Sequence, residues 1–145
     1  MKLPPEPPEA APSLLPQRLC ASSELVEKER AVLFDVVHFR EPARAFALRF
    51  DGRVVAYLNR CVHVPTELDW QPGEFLDAGR EFIICSIHGA AYEPRSGRCI
   101  GGPCGNGRLT VIEVEEHDGT VTWLPTRFTQ PPPSPLDAAA ARAVP

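Results

Sequence analysis

Leu58–Trp70 reads LNRCVHVPTELDW, which sets Cys61 and His63 one residue apart in a chain with only four histidines. Further on, Ile83–Pro94 reads IICSIHGAAYEP and repeats the association at Cys85 and His88, with two residues between them. Each pair follows a β-rich stretch. Either these are thiols of an apolar core with incidental neighbours, or they are two arms of one metal site. Thiolates are soft ligands that hold zinc or the iron of a cluster, and neutral imidazole serves both metals. Two Cys and two His suit tetrahedral zinc as well as a mixed iron–sulfur cluster, so ligand type and number leave both open.

The sequence around the arms reads as short strands joined by tight turns. Ala31–Val37 (AVLFDVV) is β-rich, and AFALRF and RVVAYL flank Asp51-Gly52, among the strongest short hairpin signals. Glu81–Ile84 (EFII) is a further short apolar run. Leu109–Leu124 (LTVIEVEEHDGTVTWL) repeats the hairpin pattern around Asp118-Gly119. In the N-terminal half the one candidate helix is a brief one near Glu24–Arg30. A helix-rich crossover pattern, GxGxxG and a Walker-type loop are all missing, which disfavours a nucleotide-binding sheet. The expectation is an all-β chain, a small antiparallel β-barrel or sandwich. Cys61 and Cys85 then sit where strands give way to loops. The 21 residues between His63 and Cys85 are enough to leave a strand end, turn and return.

At 145 residues the chain has room for one domain with a modest core. Most of its 17 prolines crowd into residues 1–18 and 125–145, which read as extended arms flanking a domain at 19–124. Asp137–Val144 is Ala-rich but too short for a helix that stands alone in water. A net charge of −4 offers no overall basic footprint, which disfavours nucleic acid as a partner, and suits docking onto a basic patch of another protein as well as ordinary solubility. The N-terminus lacks a secretory pattern and no apolar run approaches a membrane span. The expectation is a cytoplasmic monomer without a membrane partner, where cysteine pairs more often serve metal or redox chemistry than stable disulfides.

The order Cys-x-His then Cys-x-x-His, with Gly89 after the second arm and Gly101-Gly102-Pro103 beyond it, resembles the Rieske [2Fe–2S] family over about Cys20–Leu124. A zinc finger orders its ligands as Cys-Cys then His-His, which this chain does not. The resemblance implies one [2Fe–2S] cluster per chain, with Cys61 and Cys85 on the inner iron and His63 and His88 on the outer one. It also implies that Tyr92 hydrogen-bonds a cluster cysteine and that Gly101, Gly102, Pro103 and Cys104 belong to a proline loop covering the cluster.

Several features depart from common forms of that pattern. The segment between the arms is long, and Trp70 and Phe75 are expected to pack beneath it around the Pro72-Gly73 turn. Thr66 and Ile87 stand where cytochrome-complex members carry an extra pair of cysteines. Ala90 replaces a serine that donates to the cluster sulfurs. Fewer donors to sulfur imply a potential in the lower half of the Rieske range. Cys20 is expected to pack as a small apolar residue. Cys99 and Cys104 flank the proline loop, and the cytosolic setting favours thiols there over a bridge. His38 and His117 read as surface or strand-end residues.

The resemblance implies one-electron transfer. Its first form is a soluble Rieske-type ferredoxin between a flavin-dependent reductase and an oxygenase or similar acceptor. Alternatives are a permanently bound Rieske subunit, a redox sensor, or a zinc-stabilised binding domain. A Rieske oxygenase holds its mononuclear iron in an additional domain, and this sequence leaves no room for one. The docking surface is expected around His63 and His88, with Gly101–Cys104 and Trp70 at its rim.

Overall fold

The computed structural model describes residues 14–62 and 64–133. His63 and the Ala-rich segment Asp137–Val144 lie outside the described residues. Ten strands carry the fold: β1 (Gln17–Ala21), β2 (Val32–His38), β3 (Glu41–Phe50), β4 (Arg53–Leu58), β5 (Ile83–Ile84), β6 (Ala91–Tyr92), β7 (Cys99–Gly101), β8 (Glu113–His117), β9 (Thr120–Leu124) and β10 (Thr129–Gln130). They form three antiparallel sheets, ordered β10-β2-β3-β4, β1-β9-β8 and β5-β6-β7. The all-β expectation holds, as a sandwich of open sheets rather than a closed barrel.

Both Asp-Gly hairpins form. Phe50 pairs with Arg53 around Asp51 (φ 52°) and Gly52 (φ 79°), and His117 pairs with Thr120 around Asp118 (φ 50°) and Gly119 (φ 75°). Two consecutive residues at positive φ match the right-handed twist of the flanking strands, which is why Asp-Gly serves there. A third hairpin of this type joins β2 to β3 through Phe39 (φ 47°) and Arg40 (φ 67°), with neither glycine nor asparagine to announce it. Phe39 packs a tilted ring against Phe128 at 5.2 Å and donates its N–H to the Phe128 carbonyl, contacts that hold the unfavourable turn.

β3 is the centre of the molecule. Ala45 and Ala47 face one way and Phe46, Leu48 and Phe50 the other, and all are buried. The alanine face admits the β1-β9-β8 sheet closely, packing with Ala56, Leu58, Cys20, Ile112, Val121 and Trp123. The aromatic face packs on Tyr57, Phe75, Ile83, Tyr92 and Leu109, beneath the β5-β6-β7 sheet. Phe75 stacks on Phe46 at 3.7 Å, as expected for a residue under the long loop. Trp70 does not join it: the ring stays 49% exposed, with its Nε1 donating to Leu76 O at 3.3 Å.

Three further expectations change. The brief helix near Glu24–Arg30 is only a 3-10 turn at Ser22–Glu24. Tertiary bonds recruit the segment that follows: Arg49 donates to Leu25 O and Ser22 O, and the Glu27 carboxylate accepts from Asp51 and Gly52 N–H. The Pro-rich ends are not wholly outside the sheets. Gln17 and Arg18 pair with β9, and Thr129–Gln130, within the segment read as a tail, pair with β2. Finally, Cys99 and Cys104 form a disulfide across Cα atoms 5.9 Å apart, where thiols were expected. The turn that brings Gly107 N–H to Cys104 O, with Cys99 N–H on Gly107 O, holds the two side chains together.

Candidate metal centre

The first arm leaves β4 at Leu58. Its base is tied by the buried Asn59, whose Oδ1 accepts from Leu68 N–H at 2.7 Å while its Nδ2 donates to Asp69 at 3.0 Å. Cys61 N–H then bonds Thr66 O at 2.8 Å, closing the loop that contains His63. The second arm begins at the end of β5. Cys85 N–H bonds Ala90 O at 2.8 Å, and Gly89 N–H returns to Cys85 O at 3.0 Å, with Gly89 at φ 71°. Ser86 N–H reaches Leu68 O at 3.1 Å, so the segment held by Asn59 also anchors the second arm. Nothing in the sequence pattern marks Asn59, because its role depends on burial between two loops.

These constraints bring Cys61 and Cys85 together. Both side chains are buried, and Cys61 is among the groups that act on the Cys85 thiol. Burial pushes the Cys85 thiol up, while the backbone N–H groups of Ile87 and His88 that point at its sulfur act the other way. Tyr92 Oη lies 3.5 Å from Cys61 Sγ and accepts from Val62 N–H at 3.2 Å. Either group can donate in the Tyr92–Cys61 contact, and toward a thiolate at Cys61 the hydroxyl is the donor. Burial first, and then that sulfur, push the Tyr92 hydroxyl up, so it remains a donor at neutral pH. His88 is exposed, on the solvent side of the thiols.

The segment Cys99–Gly107 lies over both arms. A Cβ at Gly102 (φ 82°) would sit 2.8 Å from Ala90 Cα and 2.9 Å from Gly89 O. A Cβ at Gly107 would collide with the Val62 side chain. Glycine at these positions lets the cover approach the backbone of each arm, and the Cys99–Cys104 bridge ties the cover to itself. Gly101 and Pro103 stand exposed on it, and Cys104 is buried beneath.

Residues 15–123 match the Rieske [2Fe–2S] domain family. The chain belongs to that family. Membership implies a [2Fe–2S] cluster as the cofactor, and Rieske-type electron transfer as its chemistry. No match was found among curated proteins. Solved structures share the fold. The ferredoxin of carbazole 1,9a-dioxygenase from Nocardioides aromaticivorans IC177 superposes with a TM-score of 0.60 at 22% identity, over 77% of this chain and 98% of that one. The terminal oxygenase of the same dioxygenase gives 0.61 at 20% identity, over 80% of this chain and 31% of the oxygenase.

The residues present fit the family's cofactor. Two neighbouring buried thiols, with N–H and O–H donors aimed at their sulfurs, supply and stabilise a thiolate pair. Among the described residues no trio of metal-ligating side chains is assembled, and His63, the expected partner of His88, lies outside them. Of the other histidines, His38 ends β2 and bonds Thr129 Oγ1 at 2.8 Å, and burial followed by nearby Arg60 pushes its ring down. His117 is exposed at the end of β8, 3.2 Å from Asp118. Trp70 lines a cleft with Lys28, Glu74, Arg80 and Ile84 that does not include either thiol. Among the described residues no helix is long and apolar enough to cross a membrane.

Proposed function

We propose that this chain is a one-electron carrier, a Rieske-type ferredoxin that takes electrons from a flavin-dependent reductase and delivers them to an oxygenase or similar acceptor. In this reading Cys61 and Cys85 hold the inner iron of one [2Fe–2S] cluster, and His63 and His88 hold the outer iron. Bound there, the cluster supplies a one-electron couple. The single observation that carries the reading is the polarity of the site: the thiols are buried, whereas His88 is exposed on the solvent side. An imidazole edge at the surface offers a short path to a partner. The chain's own groups do the rest: Tyr92 and the Ile87 and His88 amides donate to sulfur, and the Cys99–Gly107 cover keeps water from the thiols. Likeness to a ferredoxin along 98% of that protein's length supports the carrier form; the cytoplasmic monomer is part of the proposal and rests on the sequence alone.

Anaerobic purification followed by iron and acid-labile sulfide assays tests the cofactor; the expected result is two of each per chain. One zinc without sulfide sinks the reading. Cys85→Ser and His88→Ala should each abolish the visible absorption. The loaded chain should pass electrons from a NAD(P)H-dependent flavin reductase to an added acceptor, whereas salt-resistant co-purification with one partner would favour a fixed subunit instead.

A further inference from the structure

The charge of this chain is segregated. The three segments that build the site, residues 58–66, 83–92 and 94–112, contain Arg60, Arg95, Arg98 and Arg108 and not one Asp or Glu. The site end therefore carries +4, while the remainder, with 11 basic and 19 acidic residues, carries −8. Three carboxylates border these segments, and of these Glu113 is exposed at the start of β8. Glu67 lies 3.9 Å from Arg44, and Glu93 accepts from Ser96 N–H and pairs with Arg95 at 3.2 Å. Arg95 also reaches Asp51 at 3.1 Å.

Arg60, Arg98 and Arg108 are different. None has an ion pair among the described residues. Arg98 and Arg108 stand directly opposite one another across an antiparallel bridge, at the base of the cover. Like charges in that position repel. Arg108 and Arg60 line one cleft with Cys61 and Val62, so all three charges gather beside the first arm. The same three segments also expose apolar side chains, and Val62 lines the Arg60–Arg108 cleft. Val62, Ile87 and Ile100 are 43%, 56% and 48% exposed, and each comes from a different site segment. An apolar centre with a charged rim is the anatomy of a specific interface, and its rim charges govern encounter rate and salt dependence.

We infer that the site end is a basic docking face, with Arg60, Arg98 and Arg108 around exposed Val62, Ile87 and Ile100, that receives an acidic face of the redox partner. The occupant follows from charge complementarity: carboxylates on the incoming surface relieve the Arg98–Arg108 repulsion, and a basic partner would add to it. The net charge of −4 points the other way, toward basic partners, but screening at 0.1 M salt confines each field to about 10 Å, so the local rim dominates at contact. The inference rests on the electron-carrier reading for the kind of partner.

The test uses the cluster-loaded full chain with two probes, an acidic flavodoxin and a basic cytochrome c. Equilibrium binding is followed by NMR line broadening of each labelled probe, and electron transfer separately by stopped flow. Flavodoxin binding should weaken as ionic strength rises. The variant R60Q/R98Q/R108Q should lose about tenfold or more of the association rate at low salt and flatten the salt dependence. R60K/R98K/R108K should retain both, and matching visible spectra would verify that each variant is folded. Tighter binding of the cytochrome at low salt, indifferent to these substitutions, would overturn the inference, as would salt-sensitive self-association of the chain. Arginine-dependent binding of flavodoxin without electron passage would uphold the face and remove the carrier reading. Electron passage with arginine-independent binding would do the reverse.

Discussion

Tyr92 and Cys61 meet 3.5 Å apart across the two arms, and the same hydroxyl accepts from Val62 N–H at 3.2 Å. One phenol therefore links β6 to the sulfur and to the backbone of the first arm. In the loaded protein, Tyr92→Phe should lower the midpoint potential by about 40 mV, the equivalent of one hydrogen bond of about 1 kcal/mol in a one-electron couple. Protein-film voltammetry reads this directly. An unchanged midpoint with lowered stability would mean that the hydroxyl serves Val62 alone.

Gly102 combines a φ of 82° with a Cβ position 2.8 Å from Ala90 Cα. Gly102→Ala should be destabilising by about 1–3 kcal/mol, since strained backbone and close approach both oppose the new methyl. The cluster should bleach faster in air, because the cover must rise off Gly89 and Ala90. Gly52→Ala, at a similar φ but with no neighbour within 4 Å, separates the two effects: it should cost stability and leave bleaching unchanged.

The Cys99–Cys104 bridge is checked by alkylation. Both sulfurs lie in one tryptic peptide, residues 99–108, which should resist iodoacetamide until reduced. Cys99→Ser/Cys104→Ser should lose about 2 kcal/mol of stability, the loop-closure value for so short a ring. Modification of both sulfurs in the unreduced protein would show that the pair exists as thiols.

Arg49 grips Glu116 in a fork of 2.5 and 3.0 Å, and this paired bond holds the Glu116 carboxyl at about 2. A carboxyl depressed on folding stabilises the native state above its ordinary value of 4.5 and ceases to do so as pH falls toward 2. Glu116→Gln should cost about 1 kcal/mol at pH 7, after allowance for partial exposure, and progressively less below pH 4.5. Urea unfolding followed by tryptophan fluorescence at pH 7 and at pH 3 measures the difference. A gap that widens on acidification would contradict this assignment.

Much of the site is legible in the chain because its determinants are local. Cys61 and Cys85 each sit where a strand ends, and strand ends follow from alternation and from Asp51-Gly52, within a few residues of the cysteines concerned. Tyr92 is placed by its short distance from His88. Other features depend on partners far away in sequence. Asn59 is buried because Leu68 and Asp69 return to it. The segment after Glu24 gives up helix because Arg49 and the Asp51-Gly52 turn take its polar groups. Phe39-Arg40 turns because Phe128 covers it.

The sequence by itself determined the strands that flank the two Asp-Gly hairpins and the Cys-x-His and Cys-x-x-His arms, since backbone sterics and side-chain periodicity act over neighbouring residues. Tertiary structure decided the rest. The bond between Cys99 and Cys104 needed a turn that brings their side chains together, which a general argument from compartment does not reveal. The basic character of the site end is invisible in a net charge of −4. Only folding collects Arg60, Arg98 and Arg108 on one surface while most carboxylates fall elsewhere, and a screened field is felt from where charges stand in space rather than from their sum.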